Sequence, residues 1–311
     1  MATHPEPYVK FPTARHKTTL IVLHGTSQTG PGFAQSFLTT RFSPPCASLI
    51  DPSVTQAARE EVTFPDLFPN CKFVFPTGTP KKTTVFDGRE TNAWFDITDF
   101  GDRTKGEMEM IEGMRESSLH LADLIRSEIG LLDGDKKREA KLILAGFSQG
   151  AAMGLMLLLS GELHRRGFVH GLGGFIGLSG WLPFRRQIKE AISRKHAGQP
   201  GEVSTGSDTT TKRGRTMAYV RELLGFESVD DLWSHDLNPL DLPVFLGHGE
   251  LDVKVRLQWG LQMKDTLEEL GVNVDFKSYA SLEHWWSDEE VKDVADYLSS
   301  EWYGTFEEAL G

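Results

Sequence analysis

The chain has 311 residues, 39% of them apolar, enough to bury the core of one domain spanning 1–311 and carrying insertions. Its 33 Lys and Arg against 44 Asp and Glu give a formal charge of -11, which disfavours nucleic acid and anionic membrane as standing partners. Two cysteines, Cys46 and Cys71, are too few for a disulfide framework or a zinc site, and no run serves as a signal peptide or membrane span, so the expectation is a soluble cytoplasmic protein, the nucleus included.

In chain order, apolar runs bounded by turn residues predict strands at 19–24 (TLIVLH), 72–76 (KFVFP), 141–146 (KLILAG), 174–179 (GFIGLS), 243–248 (PVFLGH) and 274–280 (VDFKSYA). Their near-continuous apolar character is that of strands buried on both faces. Helical patterns fall between them, at 108–128, 149–159, 255–270 and 288–298. This alternation predicts an α/β fold, a mostly parallel central sheet with helices on both faces. Two stretches break the rhythm. Residues 77–104 are too long for an ordinary connection and hold NAWFD, which marks them as functional. Residues 194–215 are polar and rich in Gly, Ser and Thr, and read as a mobile surface insertion.

The sequence GFSQG at 146–150 fits G-x-S-x-G, in which a serine sits on a sharp strand-to-helix turn that tolerates no bulk two residues before or after it. Gly146 and Gly150 meet that need around Ser148, with a strand before and a helix after. Ser179 in GLSGW is the rival, but Trp181 occupies a position that should be small. A serine hydroxyl needs a base, and the base an orienting carboxylate, here in the order serine, acid, histidine. After the strand at 243–248 come Glu250 and Asp252; Asp252, just before a helix, is preferred, with Glu250 the alternative. His284 follows the last strand and is the candidate base, whereas His24 and His248 precede the acid and suit structural hydrogen bonds in turns. A tetrahedral oxyanion would need two main-chain donors, expected at Gln149 and, in the loop LHGTSQTG, at Thr26.

Taken together and in order, LHGTSQTG, NAWFDI, GFSQGAAM, LSGWLP, GHGELDVKV and LEHWW resemble the acyl-protein thioesterase group of the phospholipase/carboxylesterase α/β-hydrolases, from about Leu20 to Leu298. The resemblance implies an α/β-hydrolase fold, a triad of Ser148, Asp252 and His284, and oxyanion donors at Thr26 and Gln149. It implies acyl-ester or thioester hydrolysis with no metal or organic cofactor. S-acylated protein is the favoured substrate and small carboxylic esters the alternative; a non-catalytic binding module has no need to keep all three groups in order. The chain departs from the family in having Gln28 where an aspartate is usual, and Trp285 where a serine usually follows the base. At least one of Trp285 and Trp286 is expected to pack on the protein body; both are core, or Trp285 forms a wall of the acyl site with Trp94, Phe95 or Trp181.

Overall fold

The computed structural model describes residues 4–44, 61–132, 142–167, 172–194, 211–228 and 240–303. Their strands are β1 (Tyr8–Lys10), β2 (Thr18–Leu23), β3 (Cys71–Phe75), β4 (Pro80–Thr83), β5 (Arg89–Asn92), β6 (Leu142–Phe147), β7 (Leu172–Leu178), β8 (Val244–Gly249) and β9 (Val274–Tyr279). The helices are α1 (Gly30–Thr39), α2 (Phe64–Leu67), α3 (Glu107–Leu131), α4 (Gln149–Leu159), α5 (Glu162–Arg165), α6 (Arg185–Ser193), α7 (Lys212–Leu223), α8 (Leu257–Glu269) and α9 (Asp288–Tyr303). All six predicted strands and four predicted helices are present, shifted at their ends by a few residues.

Seven strands form one sheet in the order β1-β3-β2-β6-β7-β8-β9, parallel throughout except for the edge strand β1. The middle strands are buried along their whole length, and the alternation of side chains splits the core into two layers. Ile21, Leu23, Leu142 and Leu144 face α3 and α4, meeting Met114, Leu121, Ile125 and Leu155. Leu20, Val22, Ile143 and Ala145 face the other side, where α1 supplies Phe33 and Phe37 and α9 supplies Val291, Val294 and Leu298. Each fully buried side chain of this size contributes about 1.5–3 kcal/mol relative to exposure. Helix α4 is buried at every position, as its small and apolar composition demands. Among the described residues no helix is long and apolar enough to cross a membrane.

The stretch 77–104 holds a second, two-stranded sheet, in which β4 and β5 pair antiparallel from Pro80↔Asn92 to Thr83↔Arg89. The expected insertion at 194–215 needs correction at its end. Thr211 caps α7 by accepting from the Gly214 N–H at 2.9 Å, and Arg213 donates to the Gly271 carbonyl at 2.6 Å, so the chain is anchored at 211–214. Residues 195–210 and Cys46 lie outside the described residues; Cys71 is a free, buried thiol whose ionisation burial opposes.

Candidate active site

The carboxyl ends of β2, β6, β8 and β9 lie on one edge of the sheet, and every candidate residue of the relay is carried just beyond one of them. Between β6 and α4, Ser148 adopts φ 54° and ψ -117°, in the region that L-residues rarely occupy. The flanking glycines are required by contact. A Cβ on Gly146 would lie 2.4 Å from the Gly150 carbonyl group, and one on Gly150 would lie 2.2 Å from the Leu23 oxygen of the adjacent strand.

This turn sets Ser148 Oγ 3.0 Å from His284 Nε2, while His284 Nδ1 lies 2.6 Å from Asp252 Oδ2. A carboxylate only accepts, so Nδ1 carries the proton and Nε2 is left to accept from the serine hydroxyl. Asp252 is 4% exposed, and its other oxygen, Oδ1, accepts from the N–H groups of Lys254 at 2.9 Å and Val255 at 2.8 Å. Burial pushes its carboxyl up, but the His284 hydrogen bond and charge, with the Val255 N–H, outweigh that and hold it below the ordinary aspartate range. Glu250 instead accepts from the Ser278 hydroxyl at 2.8 Å. The structure therefore brings together Ser148, Asp252 and His284 and leaves the alternative acid outside.

The loop after β2 abuts the serine: a Cβ on Gly25 would lie 3.4 Å from Ser148 Cβ. Gln28 shapes this loop by accepting the Gly25 N–H on Oε1 at 3.0 Å, so the residue that departs from the family pattern closes the turn with its side chain. Ser27 takes φ 65° and gives its N–H to Asn92 at 2.9 Å, whereas the Thr26 N–H donates no loop or turn hydrogen bond among the described residues. Gln149 is the first residue of α4, where main-chain N–H groups lack a partner one turn back. Its side chain is committed elsewhere. Oε1 accepts from Trp94 N–H at 3.0 Å and Nε2 donates to the Phe95 carbonyl at 2.7 Å, so the segment NAWFD clamps the turn from below.

His24 and His248 hold neighbouring loops. His24 Nδ1 lies 2.7 Å from the Gly25 carbonyl and Nε2 accepts the Gly78 N–H at 3.0 Å, which specifies one neutral tautomer; burial takes it down to about 4 against the Gly25 hydrogen bond. His248 Nε2 donates to the Val255 carbonyl at 2.7 Å, directly behind Asp252.

The expected aromatic wall is mostly core. Trp94 and Phe95 are fully buried, and the Trp94 indole donates to the His24 carbonyl at 2.8 Å, so neither presents a face to a substrate. Trp181 is buried too, its edge-on neighbour being Phe95 and its ring face taken by the Arg103 guanidinium 4.4 Å from the centroid. Trp285 alone of the four reaches the surface, 37% exposed beside His284, stacked at 3.9 Å on the buried Trp286 and edge-on to Phe147 at 5.4 Å. The correction has a simple cause: NAWFD is drawn inward by Gln149, which sequence alone does not reveal.

Sequence reasoning also missed Arg103 and Glu290. Arg103 sits in a polar connection without any motif, yet it is 8% exposed and donates to the Lys254 carbonyl at 3.1 Å. Glu290 lies in the acidic run SDEE, which reads as a solvated helix start. It is instead fully buried, and burial, then Asp293 and Asp252, push its carboxyl up to about 8. A separate cavity of about 650 Å³ between β4 and α3 is lined by His4, Lys81, Glu116 and His120, and holds no member of the Ser148 relay.

A family model described as phospholipase/carboxylesterase matches residues 55–197 and 211–301. Acyl-protein thioesterase 1 of Yarrowia lipolytica is 27% identical over 297 residues, 94% of this chain and 96% of that protein. Acyl-protein thioesterase 1 of Neurospora crassa is 24% identical over 289 residues, 92% of this chain and 87% of that one. Among solved structures, Zea mays acyl-protein thioesterase 2 superposes with a TM-score of 0.60 at 25% identity, covering 95% of this chain and 98% of its own. Arabidopsis thaliana SOBER1 shares the fold with a TM-score of 0.57 at 19% identity, covering 92% of this chain and 99% of its own.

Proposed function

The chain belongs to the phospholipase/carboxylesterase family of α/β-hydrolases and is a serine ester or thioester hydrolase, and from that premise we propose that it deacylates S-acylated protein through an acyl-Ser148 intermediate. The observation that carries this reading is the unbroken relay from Asp252 Oδ2 through His284 to Ser148 Oγ, at 2.6 and 3.0 Å.

In the proposed cycle Ser148 Oγ attacks the acyl carbonyl while His284 Nε2 takes its proton, and Asp252 keeps the Nδ1 proton in place and stabilises the imidazolium. Negative charge gathers on the carbonyl oxygen, where the Thr26 and Gln149 N–H groups are the proposed donors, the latter at the start of α4. The C–S bond breaks, and the thiolate takes the proton from His284 and departs as a thiol. Water then attacks the acyl-serine, giving its proton to His284 Nε2; collapse restores the Ser148 hydroxyl and releases the fatty acid.

A second reading, hydrolysis of small or short-chain esters, is favoured by Trp285, a bulky indole standing beside the base. Measuring kcat/KM on matched acyl thioesters and oxyesters of rising chain length separates the two. The thioesterase reading expects the thioester series to lead at long chains; a maximum at acetyl or butyryl oxyesters overturns it in favour of the small-ester reading.

A further inference from the structure

The turn that follows β8 carries Asp252, and one side of it is open to solvent: Val253 is 85% exposed and Leu251 54%. A turn so exposed has little packing of its own, yet the orienting carboxylate tolerates displacement of only about 0.5 Å. Its peptide units are held from both ends. The N–H groups of Lys254 and Val255 grip Asp252 Oδ1, and the carbonyls of the same two residues are gripped in turn, Val255 by His248 at 2.7 Å and Lys254 by Arg103 at 3.1 Å.

Arg103 arrives from the connection before α3 and is itself fixed by aromatic faces. Its guanidinium carbon lies 4.4 Å from the Trp181 centroid, 5.1 Å from Phe100 and 5.6 Å from Trp259, drawn from three separate segments. Nε and Nη1 have no hydrogen-bond partner among the described residues and are shut off from solvent, so the bond to Lys254 is the one directional use this buried cation has there. A buried guanidinium is costly to desolvate. Burial takes it down to about 10, against the pull of Asp252 and then Asp99, so it stays charged at neutral pH.

We propose that Arg103 is a positioning residue for the hydrolytic reaction, its guanidinium holding the Lys254 carbonyl so that the Asp252 turn keeps His284 in line with Ser148. This rests on the reading of Ser148, Asp252 and His284 as the reacting triad.

The test uses the full chain and a small soluble thioester, with Arg103→Gln, Arg103→Lys and Ser148→Ala side by side. In Arg103→Gln kcat should fall about 10-fold or more with KM nearly unchanged. Arg103→Lys should recover only part of kcat, because an ammonium can still donate to the Lys254 carbonyl but lacks the planar stack. If Arg103→Gln does not fold, Arg103→Lys carries the test by a smaller loss of kcat at unchanged KM. An unchanged kcat in folded variants overturns the proposal, as does a rise in KM alone. Activity surviving in Ser148→Ala would instead overturn the triad reading itself.

Discussion

Ser148 follows β6 with φ 54° and Ser179 follows β7 with φ 49°, and each gives its N–H to the next strand, to Leu178 at 2.8 Å and to Gly247 at 2.9 Å. The two turns share a positive φ and an N–H bond to the neighbouring strand, but their continuations differ. Ser148 opens a helix and meets His284, while Ser179 leads through Gly180 to a tryptophan engaged by Arg103, its hydroxyl fully buried and without a partner among the described residues. The strained turn is thus a way of placing a side chain at the end of a buried strand. Reactivity depends on whether a later strand brings a base to that place.

Removing each hydroxyl in turn gives the largest expected difference between the two serines. Ser148→Ala should lower kcat by about 10^4-fold or more and abolish labelling by a fluorophosphonate probe, with the thermal midpoint unchanged. Ser179→Ala should leave turnover of the same ester within about twofold and stability equal or slightly higher, since it deletes an unpartnered buried hydroxyl. Labelling that persists in Ser148→Ala and disappears in Ser179→Ala would reverse the assignment.

Next come the two carboxylates beyond β8. Asp252→Asn should cost about 10^3 to 10^4-fold in kcat because the amide disfavours the tautomer that His284 needs, whereas Glu250→Gln, which loses only a bond to Ser278, should stay within a few fold. Steady-state rates on one substrate decide it, and an equal loss in both would mean that the acids share the role.

The glycines test the turn itself. In Gly150→Ala the new methyl meets main chain at 2.2 Å, so urea unfolding should show a loss of about 2–4 kcal/mol; in Gly180→Ala it meets the Ala151 side chain at 2.7 Å, and the loss should be smaller. Equal stabilities would show that the turn at Ser148 relaxes more freely than its contacts suggest.

The smallest effect sharpens the surroundings of the base. If Trp285 limits the acyl site, Trp285→Ser should raise kcat/KM for long acyl chains over acetyl by about 1–3 kcal/mol, read from a chain-length series. An unchanged profile in a folded variant would leave Trp285 as a cover for Trp286 and Phe147 only.

Much of this architecture was legible in local pattern. Runs such as TLIVLH and PVFLGH can satisfy their backbone and bury both faces only inside a parallel sheet, and GFSQG needs its glycines because two segments of main chain meet there. The chain order Ser148, Asp252, His284 could be read from which residues follow which strand. Other features could not, because they depend on contacts made across the sheet. Ser148 and His284 stand 136 residues apart, and their 3.0 Å contact exists only once the register of four strands is set. The same holds for Trp94 and Phe95, which look like site walls until Gln149 draws them under the turn, and for Glu290, which looks solvated until α9 packs on Gly247. Arg103 left no trace in the sequence, since its place is defined by ring faces and a carbonyl from two distant segments, around Trp181 and from Lys254 to Trp259. Periodicity and turn chemistry are local and determine which elements form and which residues sit at their ends; burial, partners and aim are set by tertiary contact, and these decide which of the candidate groups can act.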